Sequence, residues 1–161
     1  MSNYTFTQLF RKGQESLNQW QPQAKRTSEA AFDVIDFFCC DGGMSLGFAS
    51  LQEYFRIIGG VDINSTSLKT YELNYGTPVM NADITTISPN SNVVQQTFKI
   101  NKKRPLVVIG CAPCQGFSAH RKKDSDKPED KRNTLIGYFS DIAVNLNPDF
   151  VVMENVPEIL T

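Results

Sequence analysis

The segment 106–110 constrains the fold of this chain most, because its five residues, Leu-Val-Val-Ile-Gly, carry no polar side chain. A short apolar run of this kind is typical of a strand that is buried on both faces, as in parallel sheets. Similar runs predict four further strands, at 34–38, 56–62, 79–82 and 150–153. Helical patterns follow most of the strands, at 44–54, 65–75, 93–98 and 134–146. The alternation predicts an α/β fold with a doubly wound parallel sheet, in the strand order 3-2-1-4-5.

Length and composition limit the class of protein. The chain has 161 residues, of which 40% are hydrophobic and 20% charged, which suits one globular domain. We divide it into an N-terminal arm or short helix at 1–31 and a folded domain at 32–161. No apolar run approaches the roughly 18 residues of a membrane-spanning helix, and the polar N-terminal segment is unlike a secretory signal. A cytoplasmic protein without a membrane partner is therefore expected.

The four cysteines occur as two pairs, Cys39 with Cys40 and Cys111 with Cys114. In a protein without an export signal, we expect reduced thiols that are packed, metal-bound or reactive. A zinc site normally takes a second pair of cysteine or histidine ligands, and the single histidine is His120, so we predict no metal site. The segment from Cys111 to Cys114 leaves one alternative open, a thiol redox protein with a thioredoxin-type active site.

Glycines and acidic residues mark the ends of the first three predicted strands. Gly42 and Gly43 follow the first strand, where they would let a ligand approach the backbone and the start of the next helix. Asp62 ends the second strand, a position where an acid binds a ribose hydroxyl in nucleotide-binding sheets. Asp83 ends the third strand, and we expect it to bind an adenine amino group. Each acid could instead cap a helix or face solvent.

Two further residues suggest a reaction. Cys114 follows the most apolar strand, at the carboxyl edge where open α/β sheets bind ligands. Glu154 follows the next strand along the chain, which we expect to be the neighbouring strand in the sheet. A thiolate nucleophile beside a carboxyl group that donates a proton is suited to covalent catalysis. The alternative for Cys114 is a buried, unreactive cysteine.

Short motifs along the chain together resemble the N-terminal part of the DNA cytosine-5 methyltransferases. The motifs are Asp36 to Gly43, Asp62, Thr70 to Asn74, Asp83 with Ile84, Pro113 to Ser118, Arg132 to Leu135, and Glu154 to Val156. The most specific are Pro-Cys-Gln at 113–115 and Glu-Asn-Val at 154–156. The resemblance implies a Rossmann-like enzyme of the prokaryotic or phage type that uses S-adenosylmethionine and acts on double-stranded DNA.

The resemblance also implies roles for individual residues. Cys114 would attack C6 of a cytosine that is flipped out of the duplex, and Glu154 would protonate or hydrogen-bond N3. The methyl group of the cofactor would then move to C5. The residues that would bind the cofactor are Phe38, Asp41, Gly42, Gly43, Asp62, Ile63, Asp83, Ile84, Pro113 and Leu135. The charged segment 118–132 would be the mobile loop that closes on DNA.

The chain departs from the family pattern in three ways. Cys40 stands where the family has the first glycine of its turn, so its side chain could crowd the cofactor or change the backbone angle. Cys111 and Ala112 replace a Gly-Pro pair. The family's later motifs, which support the flipped base and complete the cofactor pocket, do not occur in the 161 residues. We therefore expect no methylation by this chain alone, and two alternatives remain: a non-catalytic fragment, or a subunit that a second chain completes.

Overall fold

A computed structural model of the protein describes residues 30–113 and 134–155, together with Glu15. The strands are β1 (Phe32–Phe37), β2 (Phe55–Asp62), β3 (Val79–Asn81), β4 (Leu106–Gly110) and β5 (Phe150–Met153). The helices are α1 (Gly43–Ala49), α2 (Ser65–Tyr75), α3 (Val93–Thr97) and α4 (Thr134–Leu146), with a 3₁₀ turn at Ile84–Thr86. The predicted mobile loop at 118–132 and almost all of the predicted arm at 1–31 lie outside the described residues.

The strands form one five-stranded sheet in the order β3-β2-β1-β4-β5, and every pair of neighbours is parallel. This confirms the predicted fold class and strand order. Because all strands run the same way, their carboxyl ends meet at one edge. The register places Gly110 of β4 opposite both Phe37 of β1 and Met153 of β5, so the segments after these three strands start level with one another.

The apolar core is divided between the two faces of the sheet, because successive side chains of a strand point to opposite faces. Val34 belongs to the cluster that packs against α1 and α2, whereas Ile35 belongs to the cluster that packs against α3 and α4. Tyr71 of α2 and Phe139 of α4 are among the largest fully buried side chains. Helices therefore cover both faces, as predicted.

Several boundaries differ from the sequence prediction, and two of these differences have a clear structural reason. Helix α1 ends at Ala49, whereas the apolar pattern predicted a helix to 54. The Ser50 hydroxyl donates a hydrogen bond to the Gly47 carbonyl at 2.8 Å, and turn-type bonds replace helical ones in the segment that leads into β2. Strand β1 ends one residue earlier than predicted, because Phe38 has a left-handed φ of 57° that no strand residue adopts.

A buried ion-pair network lies at the amino edge of the sheet and was not predicted. Asp33 of β1 accepts two hydrogen bonds from the Arg56 guanidinium, at 2.8 and 2.9 Å. Arg104, just before β4, donates a further bond to Asp33 at 3.2 Å and another to the Ala30 carbonyl. The network ties the start of β1 to both of its neighbours in the sheet.

Among residues 30–113 and 134–155, no helix is both long enough and apolar enough to cross a membrane. For the described part of the chain, the helical content thus comes from short helices that pack on the sheet.

Candidate active site

The turn after β1 has an unusual backbone. Phe38, Cys40 and Gly42 all have positive φ angles, of 57°, 46° and 102°. This left-handed conformation costs a residue with a side chain about 1 kcal/mol or more, whereas glycine adopts it freely. Cys40 thus stands in a backbone conformation that favours glycine, and its side chain is exposed. Strained backbone of this kind is often found at functional sites.

Gly42 is required by space as well as by its φ angle. The Tyr75 hydroxyl donates a hydrogen bond to the Gly42 carbonyl at 2.5 Å. A Cβ atom on Gly42 would lie 2.2 Å from Cε2 of the Tyr75 ring, while a Cβ on Gly43 would have no neighbour within 4 Å. Packing therefore requires glycine at position 42, whereas at position 43 a larger residue would meet no neighbouring atom.

A buried polar network lies beneath this turn. The Ser45 hydroxyl donates a hydrogen bond to Asp36 Oδ2 at 2.7 Å and lies 2.7 Å from the Tyr71 hydroxyl. Asp36 is 1% exposed, and its Oδ1 has no hydrogen-bond partner among the described residues. Burial raises the pKa of Asp36 to about 7. The network joins β1, α1 and α2, so it fixes both ends of the turn.

Asp62 lies at the end of β2 with both carboxylate oxygens engaged. Oδ2 accepts a hydrogen bond from the Cys40 backbone N–H at 2.9 Å, and Oδ1 accepts one from the Asn64 N–H at 2.8 Å. A carboxylate oxygen has two acceptor positions, so each can still receive a ligand hydroxyl. The backbone thus fixes the orientation of the Asp62 carboxylate before any ligand binds.

Asp83 serves as a cap, the alternative that the sequence left open. Its Oδ1 accepts hydrogen bonds from the Thr85 N–H at 2.9 Å and from the Thr85 hydroxyl at 2.8 Å, which begins the 3₁₀ turn. The Asp83 side chain also lines a cavity at the carboxyl edge. Capping and a role in the cavity are therefore compatible for this residue.

This cavity has a volume of about 740 Å³ and opens between the turn after β1, the end of β2 and the start of α4. Of the residues predicted to bind a cofactor, it is lined by Phe38, Asp62, Ile63, Asp83, Ile84, Pro113 and Leu135. Asp41, Gly42 and Gly43 are not among its lining residues. Asp41 is exposed, and its carbonyl accepts a hydrogen bond from the Asn74 side chain at 3.2 Å.

The cavity also contains residues that were not predicted as binding residues. Cys40 and Cys111, which were not assigned to the cofactor site, both line it, and so do Thr134 and Tyr138 of α4. Thr134 is the first residue of α4, and Tyr138 lies one helical turn after it on the same face. The spacing of Thr134 and Tyr138 was the available signal, but of this helix only Leu135 was predicted to bind the cofactor.

The chemistry of the lining fits an adenosine-type cofactor. A flat base needs apolar surfaces, which Phe38, Ile84 and Leu135 provide, and ribose hydroxyls and an amino group need acceptors, which Asp62 and Asp83 provide. Clusters of three His, Cys, Asp or Glu side chains suited to a metal ion do not occur within the described residues.

The two cysteines beside β1 are not activated thiols. Cys39 is buried and Cys40 exposed, so the adjacent side chains point apart. Burial raises the pKa of the Cys39 thiol, and partial burial followed by the nearby Asp62 carboxylate raises the pKa of Cys40. A thiolate nucleophile is therefore not expected at either position.

Glu154 lies beside the segment that leads to the predicted nucleophile. Its N–H donates to the Gly110 carbonyl at 3.0 Å, and its Oε2 accepts a hydrogen bond from the Cys111 thiol at 2.9 Å. The neighbouring Asn155 amide donates to the Ala112 carbonyl at 3.2 Å. Strands β4 and β5 are adjacent, as expected. Cys114 lies outside the described residues, so its predicted pairing with Glu154 stays a prediction.

Proteins named as type II methylases or methyltransferases are similar in sequence to this chain. The type II methyltransferase M1.HphI of Haemophilus parahaemolyticus is 37% identical over 128 residues, which are 79% of this chain and 33% of that protein. The type II methylase M.HgiDII of Herpetosiphon aurantiacus is 31% identical over 128 residues, which are 80% of this chain and 34% of that protein. The chain thus spans about a third of the length of either relative.

A third relative, the type II methyltransferase M.HgiGI of Herpetosiphon aurantiacus, is 34% identical over 123 residues, covering 76% of this chain and 89% of that protein. A crystal structure of a Spodoptera frugiperda DNMT2 mutant covers 78% of this chain and 36% of that one, with a TM-score of 0.49 and 23% identity. The sequence profile of the C-5 cytosine-specific DNA methylase family matches residues 32–161, which are most of the chain. The chain therefore belongs to the C-5 cytosine-specific DNA methylase family.

Proposed function

We propose that this chain takes part in the transfer of a methyl group from S-adenosylmethionine to C5 of cytosine in double-stranded DNA, through a covalent adduct on Cys114. The observation that carries the proposal is the position of Glu154, whose carboxyl group lies 2.9 Å from the thiol of Cys111. Cys111 precedes the proposed nucleophile, Cys114, by three residues. The cavity with an adenosine-type lining opens at the same edge of the sheet.

The residues of the cavity would hold the cofactor. Phe38, Ile84 and Leu135 would contact the adenine, and the Asp62 carboxylate would accept hydrogen bonds from the ribose hydroxyls. Asp83 would accept a bond from the adenine amino group, with Ile63 and Pro113 against the same molecule. Asp41, Gly42 and Gly43 belong to the turn beside the cavity, where we propose contact with the methionine part. When bound, S-adenosylmethionine supplies an electrophilic methyl group.

Cys114 and Glu154 would carry out the chemistry on the base. The Cys114 thiolate forms a bond to C6 of the cytosine, while the Glu154 carboxyl donates a proton or hydrogen bond to N3 and so neutralises the charge that develops on the ring. C5 becomes nucleophilic and would take the methyl group as the bond between that group and the cofactor's sulfur breaks, which leaves the cofactor as a thioether. Loss of the C5 proton then returns the electron pair to the ring, and the bond between sulfur and C6 breaks.

The base has to leave the helix for this reaction, because its ring faces are stacked within a duplex. DNA is thus the proposed partner, and the charged segment 118–132, outside the described residues, is the proposed loop that closes on it. A type II restriction-modification setting in a bacterial, archaeal or phage-infected cytoplasm is the proposed context, by analogy with the bacterial relatives. The thiol redox alternative receives no support from the family match.

A second feature favours the alternative of a subunit that additional protein completes. Strand β5 pairs with β4 alone among the described strands, and its side chains are apolar and exposed, to 57% for Phe150 and 52% for Val151. Exposed apolar edges of this kind normally pair with further protein. We propose that β5 is covered by protein carrying the family's later motifs.

The experiment measures methyl transfer from labelled S-adenosylmethionine to a cytosine-rich duplex. The chain is assayed alone and after addition of the two thirds of M1.HphI that lie outside the match, as the proposed source of the later motifs. We expect label at C5 of cytosine only in the mixture, at least 100-fold less with Glu154→Gln, and none with Cys114→Ser. Label that persists with Cys114→Ser contradicts the proposed mechanism, and full activity of the chain alone contradicts the need for a second polypeptide.

A further inference from the structure

The ends of β4 and β5 are joined beyond their last paired residues. The register ends with Gly110 opposite Met153. After that pair, the carbonyl of Gly110, the thiol of Cys111 and the carbonyl of Ala112 each contact Glu154 or Asn155. Three successive residues therefore hold the segment after β5. The contact at Gly110 joins two backbone groups, the contact at Ala112 uses its carbonyl and the Asn155 side-chain amide, and only the contact at Cys111 depends on that residue's own side chain.

The Cys111 thiol makes the contact that reaches the Glu154 carboxyl group. Its sulfur lies 2.9 Å from Oε2, across 43 residues of sequence. Glu154 is exposed, and a glutamate side chain in water samples many rotamers. A thiol is a weak donor, but a charged acceptor strengthens the hydrogen bond. The bond fixes one oxygen of the carboxyl group, and Oε1, which accepts no hydrogen bond from the described residues, can meet a substrate.

We propose that Cys111 is a positioning residue, which orients the Glu154 carboxyl group so that Oε1 meets the N3 edge of the target cytosine. The proposal rests on the proposed function, because it assigns the base as the group that Oε1 binds. Glycine, which the family pattern has at this position, has no side chain that could donate a hydrogen bond to Glu154. The chain thus uses a side-chain contact where its relatives' pattern offers none.

The first test measures the contact and needs no enzymatic activity. All proteins carry Cys114→Ser, so that alkylation of the peptide containing Cys111 reports on one thiol. A carboxylate beside a thiol disfavours the reactive thiolate, so Glu154→Gln should speed the reaction of Cys111 with iodoacetamide about fivefold. Cys40, an exposed thiol in another peptide, is the internal control and should react at an unchanged rate. An unchanged rate for Cys111 overturns the proposal.

The second test measures the role in the reaction. Release of tritium from C5 of cytosine is followed at saturating cofactor, with the chain supplemented by the same part of M1.HphI as in the methyl-transfer assay. Cys111→Ala should lower kcat about tenfold, because the carboxyl group loses its orientation, with the KM for DNA unchanged. Cys111→Ser keeps a donor of similar size and should restore kcat to within about threefold.

The possible outcomes distinguish the proposed methyl transfer from the positioning role of Cys111. A supplemented wild-type chain that releases no tritium contradicts the proposed function and, with it, the positioning role. An active wild-type protein whose Cys111→Ala variant keeps full kcat contradicts the positioning role alone. A loss of activity in Cys111→Ala that Cys111→Ser does not restore also contradicts it, since the effect would then come from packing and not from the donor.

Discussion

Strand β1 carries two buried aspartates that lie towards opposite edges of the sheet and have opposite surroundings. Asp33 is 2% exposed and Asp36 1% exposed, so water reaches neither. The guanidinium groups of Arg56 and Arg104 contact Asp33, with N···O distances of 2.7 and 3.2 Å. Asp36 accepts a hydrogen bond from the neutral Ser45 hydroxyl, and its other oxygen has no partner among the described residues.

The two edges of the sheet differ in how the burial of a carboxyl group is compensated. At the amino edge, opposite charges compensate the burial of Asp33 and tie three segments together. At the carboxyl edge, burial without a compensating cation raises the pKa of Asp36 to about 7. The left-handed residues Phe38 and Cys40 lie at this edge, while Lys99 and Asn147 have positive φ angles in the loops before β4 and β5. The feature that distinguishes the carboxyl edge is thus a buried acid without a counter-charge, and the predictions below test that separation.

The largest expected effect is that of pH on Asp36. Its pKa is about 7 in the folded protein and 3.8 ordinarily, so between these values the folded protein keeps a proton that the unfolded chain loses. The stability contributed by the protonated acid is complete below about pH 4 and is lost as the pH rises to about 7, by about 4 kcal/mol. Asp36→Asn should lack this loss.

Urea unfolding of both proteins from pH 4 to 8 measures the effect. The stability of Asp36→Asn relative to wild type should rise with pH over this range and level off above it. Since all other titrating groups are shared, they cancel in the comparison. A difference that stays constant with pH would remove the contrast between Asp36 and Asp33.

The second largest effect is expected at the other edge. Asp33→Asn removes the carboxylate but keeps the shape, and leaves Arg56 and Arg104, both half-buried, without a counter-charge. Breaking such a network should lower the free energy of unfolding by about 3 kcal/mol. Chemical denaturation at pH 7 measures the loss, with Asp36→Asn as the matched variant that should not be destabilised. A cost below about 1 kcal/mol would place the network among ordinary surface ion pairs.

The third prediction separates the two glycines of the turn. Gly42→Ala should cost about 2 kcal/mol or more, because the new methyl group meets the Tyr75 ring and the residue keeps a φ of 102°. Gly43→Ala is the matched control, since open space surrounds its Cβ position, and its stability should change by less than about 0.5 kcal/mol. Equal losses in the two variants would show that the Tyr75 contact does not restrict the turn.

The smallest effect concerns the strain at Cys40. Cys40→Gly and Cys40→Ala both remove the thiol, but only glycine relieves the left-handed backbone at a φ of 46°. The glycine variant should therefore be more stable than the alanine variant by about 1 kcal/mol. Thermal unfolding of the pair gives the difference directly. An alanine variant that is as stable as the glycine variant would argue against strain in the turn.

The sheet could be predicted from the sequence because each strand is a local apolar run and parallel sheets follow few topologies. Asp62 and Asp83 were predicted at the ends of the second and third strands as ligand-binding acids, and both line the cavity. Contacts that depend on distant segments were not predictable. Arg104 reaches Asp33 across 71 residues, and no local pattern distinguishes it from a lysine or arginine in solvent.

The candidate site shows the same limit. Ser45 and Tyr71 form hydrogen bonds only because α1 and α2 pack on the same face of the sheet. The Cys111 contact with Glu154 depends on the register of β4 and β5, which a pattern of apolar residues does not define. The sequence therefore predicts where an edge lies and which acids reach it, but not which side chains bind one another there.

The position of β1 also governs how the protein exchanges hydrogen with solvent. Strand β1 pairs with β2 on one side and β4 on the other, whereas β5 pairs with β4 alone among the described strands. An amide held in the middle of a sheet exchanges for deuterium only when the whole sheet opens, while an amide at its edge exchanges through local fraying. Deuterium uptake by β1 therefore reports on the integrity of the entire sheet, and uptake by β5 reports on whether anything covers its edge.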